Sequence, residues 1–321
     1  MTQQPIRLGG FKIMKGMTRF SLVIEGESGI TPALFLKSAA EKKINFPYLA
    51  CMYEKDYWAI TMLVESDKGL LLSGIIEDIP GRTCHHTSQC AVLSIFPHKK
   101  DPLILKNAIN ALDSSGARPE SMATSPSAIS IVFKESDITA AGESLFGSFS
   151  FSTCRSPEDC RLAQEGKEHI YKEIIATYQE KRPKVYGLEC YSGQSIERLS
   201  LGSDSILPAE SGKKALSIDR KFTIAASCPS KNCSDEILKA CFSSECTPDE
   251  DITVFSMTGP HFGDRYGICY ELLKSLERRN VSLLCLSCTI ASITGAVASP
   301  LLDETVNGIK DCFEVPMVVM K

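Results

Sequence analysis

Cys84, His85, His86 and Cys90 set two thiols and two imidazoles within seven residues, a donor set that suits a soft metal ion. Neighbouring residues of a strand point to opposite faces, however, and no paired C-x-x-C pattern completes a zinc site. Cys285 and Cys288 have the spacing of a redox pair. They lie mid-strand in an apolar run, not at a helix start where thiol pKa values fall. The phosphate-cradling G-x-x-x-x-G-K-[ST] loop, the H-E-x-x-H zinc helix and the G-x-S-x-G nucleophile elbow are all missing. His98, His169 and His261 add no ligand spacing to the His85–His86 pair. These residues imply no catalytic constellation, no metal and no cofactor.

The elements that would position a site are clearest from Asp251 to Lys321. ITVFSMT reads as a strand, GPHFGDRYG as a loop and ICYELLKSLERRN as a helix. VSLLCLSC and ASITGAVAS follow as strands, then helix LLDETVNGIKDCF and strand VPMVVMK. Ile268, Cys269, Leu272, Leu273 and Leu276 share one face of the first helix, and Leu302, Val306, Ile309 and Phe313 one face of the second. This βαββαβ order occurs again 164 residues upstream, where Leu276 falls on Leu112 and Ile293 on Ile129. There the helical face is Ile104, Leu105, Ala108, Ile109 and Leu112. A repeat of this length signals an array of small units.

Two looser copies complete the array. In the first, TRFSLVIEG, NFPYLACMY and YWAITMLVE read as strands, with helices over Pro32–Lys43 and Lys68–Glu77. In another, KVYGLECY, IERLSLG and KFTIAAS read as strands and DEILKACF as a helix, while Ser203–Arg220 shows no helix pattern. Between the halves, Ser156 suits an N-cap, Pro157 the first helical position, and Glu158 and Asp159 the positive helix end. Pro183 stops that helix. The expected boundaries are 16–80, 88–153, a linker helix over 156–182, a degenerate third repeat over 184–246, and 250–321.

Composition limits what such an array can bind. Of 321 residues 43% are hydrophobic and 23% charged, enough for several packed cores. A net charge of −4 argues against a nucleic-acid partner, and no apolar run reaches membrane-spanning length. Many of the fourteen cysteines sit inside apolar elements as small hydrophobes do, which fits a reducing cytoplasm.

The βαββαβ repeats with a glycine-bearing first loop resemble ACT domains, small ligand-sensing modules. The likeness is greatest to the regulatory part of aspartokinases, which carries two such units in tandem. MATSPSAISIVF (122–133) resembles that family's second-to-third-strand passage. GPHFGDRYGICYELLKSLERRNVSLLCLSC (259–288) resembles its loop, first helix and second strand. The match is good over Cys90–Ser152 and Asp251–Lys321, fair over Thr18–Glu77 and poor over Lys184–Ser244. The resemblance implies an α+β chain of four ferredoxin-like βαββαβ (ACT-like) units arranged as two tandem pairs. Aspartokinases begin with a kinase domain that opens on Lys-Phe-Gly-Gly-Thr-Ser; here Leu8-Gly9-Gly10-Phe11 lacks the Thr-Ser and leads straight into the first repeat. The expectation is therefore a non-catalytic, amino-acid-sensing regulatory protein with no length left for a kinase and no aspartate-dependent ATP turnover. Its partners would be a small amino acid or related metabolite and a second copy, paired through sheet or helix contacts. The alternative is an assembly module that pairs with a separate kinase or other enzyme subunit without a small ligand.

In the ACT family the effector lies where two units meet, against the first loop, the start of the first helix and the second strand. The resemblance carries that role to Gly263, Asp264, Arg265, Tyr266, Gly267 and Ile268, with Ser287 and Thr289 at the second-strand end. A helix start offers unpaired N–H groups to a carboxylate, and glycine lets a ligand approach the backbone. The same residues also serve as a plain turn, with Asp264 as a helix cap. In the second repeat the matching positions are Asp101, ahead of Pro102, and Ser125 and Ser127. There a helix cap and a self-satisfied hydroxyl turn are the competing roles.

Overall fold

In the computed structural model the described residues are 5–25, 31–97, 102–152, 156, 159, 182–201, 222–229, 235–243, 251–259 and 262–321. Most of the expected linker helix, Asp101, and the stretch 202–221 lie outside them. Ser156 Oγ accepts from the Asp159 N–H at 3.1 Å, the bond an N-cap serine makes.

β1 (Ile6–Leu8) leads into β2 (Gly10–Glu25), α1 (Pro32–Glu41), β3 (Tyr48–Glu54), β4 (Tyr57–Glu65), α2 (Gly69–Glu77) and β5 (Arg82–Phe96). These strands lie side by side in the order β5-β2-β4-β3, all antiparallel. β2 and β5 are long because each serves two repeats. Met17–Glu25 of β2 pairs with β4, while Gly10–Met14 pairs only with the second half of β5. The ladder slips register between Met14 and Arg19, where Gly16 has φ +71° and Gln89 φ +57°. A bulge of this kind bends and twists the strand pair, which turns the second repeat out of line with the first.

α3 (Pro102–Ser115), β6 (Ser121–Thr124), β7 (Ile129–Lys134) and α4 (Ile138–Ser148) continue the second repeat. Its last strand, β8 (Phe149–Phe151), does not join the main sheet. It pairs instead with β1, parallel, and Gly10–Met14 occupies the place beside β5. Leu8 and Phe11 are core residues of this region, and Gly10 lies against the Phe96 ring.

The second half follows the same plan with one omission. β9 (Gly187–Leu201) is one continuous strand where two were expected, and it corresponds to β2. Gly187–Gln194 pairs with β12 (Ile252–Thr258), and Ser195–Leu201 pairs with β11 (Asp235–Ser243). β10 (Phe222–Pro229) lies on the far side of β11. The expected helix DEILKACF is thus β11, a strand paired on both edges, with Ala240 and Phe242 on one buried face. Only residues 244–251 separate β11 from β12, half the length that holds α2 between β4 and β5. The fourth repeat adds α5 (Ile268–Arg278), β13 (Leu283–Cys288), β14 (Ser292–Ala298), α6 (Leu302–Cys312) and β15 (Val318–Met320). β15 does not reach β12, because β9 already sits there; it pairs with β9 in parallel.

β3 pairs with β13 and β6 with β10, so both halves join into one thirteen-stranded mixed sheet, and β11 closes it back onto β9. Three cores result. One lies under α1, α2, α5 and α6 and runs unbroken from the first repeat into the fourth. A second lies under α3 and α4. The third holds strand residues and no helical ones, because it fills the space between opposed faces of the closed sheet. Along β3, Leu49 and Cys51 face the helices while Tyr48, Ala50 and Met52 face this inner core. Burial on both faces explains why such strands read as continuous apolar runs. Among the described residues no helix is long and apolar enough to cross a membrane.

Candidate functional site

The loop from Phe262 to Gly267 is set by close packing at both ends. Phe262 is fully buried, edge-on to Phe313 with ring centroids 5.9 Å apart. A Cβ on Gly263 would stand 2.7 Å from the Ile290 Cα, so only glycine fits there. Its N–H donates to the Ile290 carbonyl at 3.4 Å. Thr289 shapes that contact by closing the β13–β14 turn, its N–H donating to the Ser292 carbonyl at 2.9 Å. At the other end Gly267, with φ +83°, is the N-cap of α5 and offers no capping side chain. The first N–H groups of α5 therefore face outward with the helix's positive end. Ile268, Cys269, Leu272, Leu273 and Leu276 are buried, as their spacing requires, and fix the helix on its core.

The first repeat supplies the facing wall. α1 and α5 run antiparallel: the Thr31 hydroxyl, at the start of α1, donates to Glu277 near the end of α5, and Ala40 near the end of α1 adjoins Gly267. Asn45 Nδ2 donates to the Gly263 carbonyl, a bond across 218 residues of chain. The loop thus sits at the seam where β3 and β13 join the two repeats. Asp264 and Arg265 are half-buried and Tyr266 is exposed. The enclosed space behind Gly267, between Phe46, Phe262 and Cys288, is about 10 Å³, room for one water at most. Outside it an open groove of about 560 Å³ runs between the end of α1, the length of α5 and the end of α6. This is the side on which the loop is open to solvent.

Ser287 is not brought into that loop. Cys285 belongs to the inner core and Leu286 and Cys288 to the helix-covered one, so alternation turns Ser287 inward. Its hydroxyl donates to the Thr294 carbonyl at 3.5 Å. Ser125 is spent on its own turn, where its Oγ accepts from the Ala128 and Ser127 N–H groups at 3.0 and 3.3 Å. Ser127 Oγ accepts from the Thr258 hydroxyl at 3.1 Å, which ties the second repeat to the end of β12 just ahead of the late loop. Asn45, Ala40 and Phe262 were not foreseen as site residues.

The sulfur chemistry is subdued. Cys285 and Cys288 lie in different cores, so the redox-like spacing does not bring them together. A hydrogen bond with Cys269, then burial, holds the Cys288 thiol well above its ordinary pKa, and burial pushes Cys285 to about 12. Both are neutral thiols at physiological pH and poor nucleophiles. Cys51, Cys84, Cys90, Cys190, Cys269, Cys285, Cys288 and Cys312 form no disulfide, and among the described residues no cluster of three metal-binding side chains forms. Trp58 is partly buried against the first core and tilted over Tyr53, with centroids 5.2 Å apart.

No family model matches the chain, and no curated protein matches it by sequence. Among solved structures, aspartate kinase from Synechocystis is similar over 95% of this chain and 56% of its own, at 12% identity and a TM-score of 0.71. The chain therefore spans little more than half the length of that protein, and at this identity the likeness shows the fold. Shorter matches include the ligand-free regulatory subunit of aspartate kinase from Thermus thermophilus, at 19% identity over 44% of this chain and 99% of that one, with a TM-score of 0.40. E. coli aspartokinase III in complex with lysine and aspartate matches at 12% identity over 46% and 34%, with a TM-score of 0.34. One expectation is overturned here. The structure similar to nearly all of this chain is that of a kinase, an enzyme, so the description as non-catalytic does not stand.

Proposed function

We propose that the chain consists of four ACT-like units in two tandem pairs and acts as an amino-acid-responsive regulatory module of the aspartokinase type. The observation that carries this reading is the position of the Gly263–Ile268 loop at a seam. Its backbone is held by Ile290 from its own repeat and by Asn45 from another. A ligand that shifts the loop also shifts the contact between two repeats, and a differential contact of this kind is what regulation requires. In this reading the ligand's carboxylate meets the N–H groups of Gly267 and Ile268, where the helix dipole favours negative charge. Asp264 takes the ammonium as the only acid in that loop. A homodimer formed through further contacts between units belongs to the same reading.

Thermal-shift screening of the twenty L-amino acids identifies a ligand, since one present at ~100 times its dissociation constant adds about 2.7 kcal/mol. Asp264→Ala should then weaken that ligand by roughly 1.5–3 kcal/mol, as loss of a charged hydrogen bond does. Calorimetry showing unchanged affinity would place the ammonium elsewhere and end the loop assignment. The alternative, an assembly module without a small ligand, has β15 in its favour: this edge strand pairs on one side only and exposes Met320, next to exposed Met317. It predicts a mass above the monomer in light scattering and no stabilisation by any amino acid.

A further inference from the structure

The groove beside the loop has the opposite charge to the chain that forms it. At about 560 Å³ it is of ordinary size for a small-molecule site. The chain as a whole carries −4. Yet Lys37 from α1, Arg265 from the loop, Lys274 and Arg278 from α5, and Arg182 ahead of β9 all line this groove. Against these five bases the described lining offers three acids, Glu41, Glu271 and Asp311. The acids are already engaged, and two of the bases, Lys37 and Lys274, are engaged with them. Glu41 lies 4.0 Å from Lys37, Glu271 4.0 Å from Lys274, and Asp311 2.8 Å from Arg279 beyond the groove wall. The lining thus holds two more bases than acids, and its arginines, Arg182, Arg265 and Arg278, come from three separate stretches of chain. Guanidinium groups suit carboxylate and phosphate because two parallel N–H donors match two oxygens.

We infer that the ligand of this groove is an amino acid whose side chain carries its own negative charge, a dicarboxylic or phosphorylated one. The inference rests on the reading of the loop as an amino-acid site and adds what the rest of the ligand must be. With the α-carboxylate and ammonium held at Gly267 and Asp264, the side chain extends into the groove and meets the arginines. A basic side chain there meets like charge, and a neutral amide gains no charged partner.

Pairs of equal shape isolate the effect of charge. Calorimetry on the full chain compares L-aspartate with L-asparagine and L-glutamate with L-glutamine, with O-phospho-L-serine and L-lysine as further probes. The acid of at least one pair should bind about tenfold or more tighter than its amide, and raised salt should narrow the gap. Arg182→Gln with Arg278→Gln, both outside the loop, should remove most of that preference while amide affinity stays within about twofold. Circular dichroism checks that the double variant folds; Arg278→Gln alone serves if it does not. Binding of lysine or an amide as tightly as the acids would overturn the inference and leave the amino-acid site standing. If none of the six compounds binds, the inference falls, and the proposed function falls with it only where none of the twenty amino acids stabilises the chain in the thermal-shift screen either.

Discussion

Where the first and fourth repeats meet, β3 and β13 pair over four residues, and α1 and α5 lie across the join above a single apolar core. Where the second and third meet, the described strands β6 and β10 pair over two, and buried polar groups do the fastening. Ser121 donates to the Ala225 carbonyl at 2.6 Å and the Thr223 N–H donates to Thr124 Oγ1 at 2.7 Å, while the Tyr48 hydroxyl of the first repeat lies 2.7 Å from Ser121 Oγ. Apolar packing is non-directional and tolerates small sliding, whereas a buried hydrogen bond holds only in one register. The seam beside the groove therefore combines a ladder and the Asn45–Gly263 bond with broad apolar packing, whereas the other relies on a few buried hydrogen bonds.

The sharpest way to break this contrast is through the shared core. Leu272→Ala removes a fully buried side chain and should cost about 2–5 kcal/mol in urea unfolding. Because that core spans two repeats, hydrogen exchange should rise in α1 and β3 as well as in α5. Loss of protection confined to α5 would show that the two repeats do not share a core.

At the polar seam a smaller loss is expected. Ser121→Ala strands the Ala225 carbonyl and the Tyr48 hydroxyl and should cost about 1–3 kcal/mol. Adding Tyr48→Phe should recover part of it, since one unpaired group is then gone. Additive losses in the double variant would mean that Tyr48 and Ser121 are not coupled.

The smallest effect belongs to the rim of the groove. Arg279 donates to Asp311 and Glu304, both at 2.8 Å. Its hydrogen bond holds the Asp311 carboxyl below the ordinary carboxylate value. A lowered native pKa contributes stability above the unfolded value near 4, which is lost as the pH falls through the lowered one. Arg279→Gln should therefore reduce the melting temperature slightly near neutral pH, by an amount that salt shrinks. The difference from the natural protein should vanish once the pH has fallen below that lowered value. A difference that persists in acid would assign Arg279 a packing role instead.

Much of the fold is legible along the chain. The faces of α3 and α5 are those their spacing predicts, and the strand–helix order of the first, second and fourth repeats holds, although β2 begins at Gly10, ahead of the expected Thr18, and β5 runs back to Arg82. The third repeat is not legible. DEILKACF has apolar residues at helical and at strand spacing alike, and its pairing with β9 and β10 decides between them. The late loop could be located from its glycines, but Ser287, so close in sequence, faces the other way.

What the residues determined alone was short-range: helix stripes, strand runs, a capping serine, and glycines where backbone passes close to backbone. Each depends on neighbours a few positions away, and periodicity records those. Only the tertiary structure decided which strand fills each place in the sheet, and that the second face of the sheet is covered by more sheet. It also brought Asn45 to the Gly263 carbonyl and gathered Arg182, Arg265 and Arg278 around one groove. Such meetings depend on how whole repeats pack together, and residues more than two hundred positions apart leave no local pattern by which to find one another.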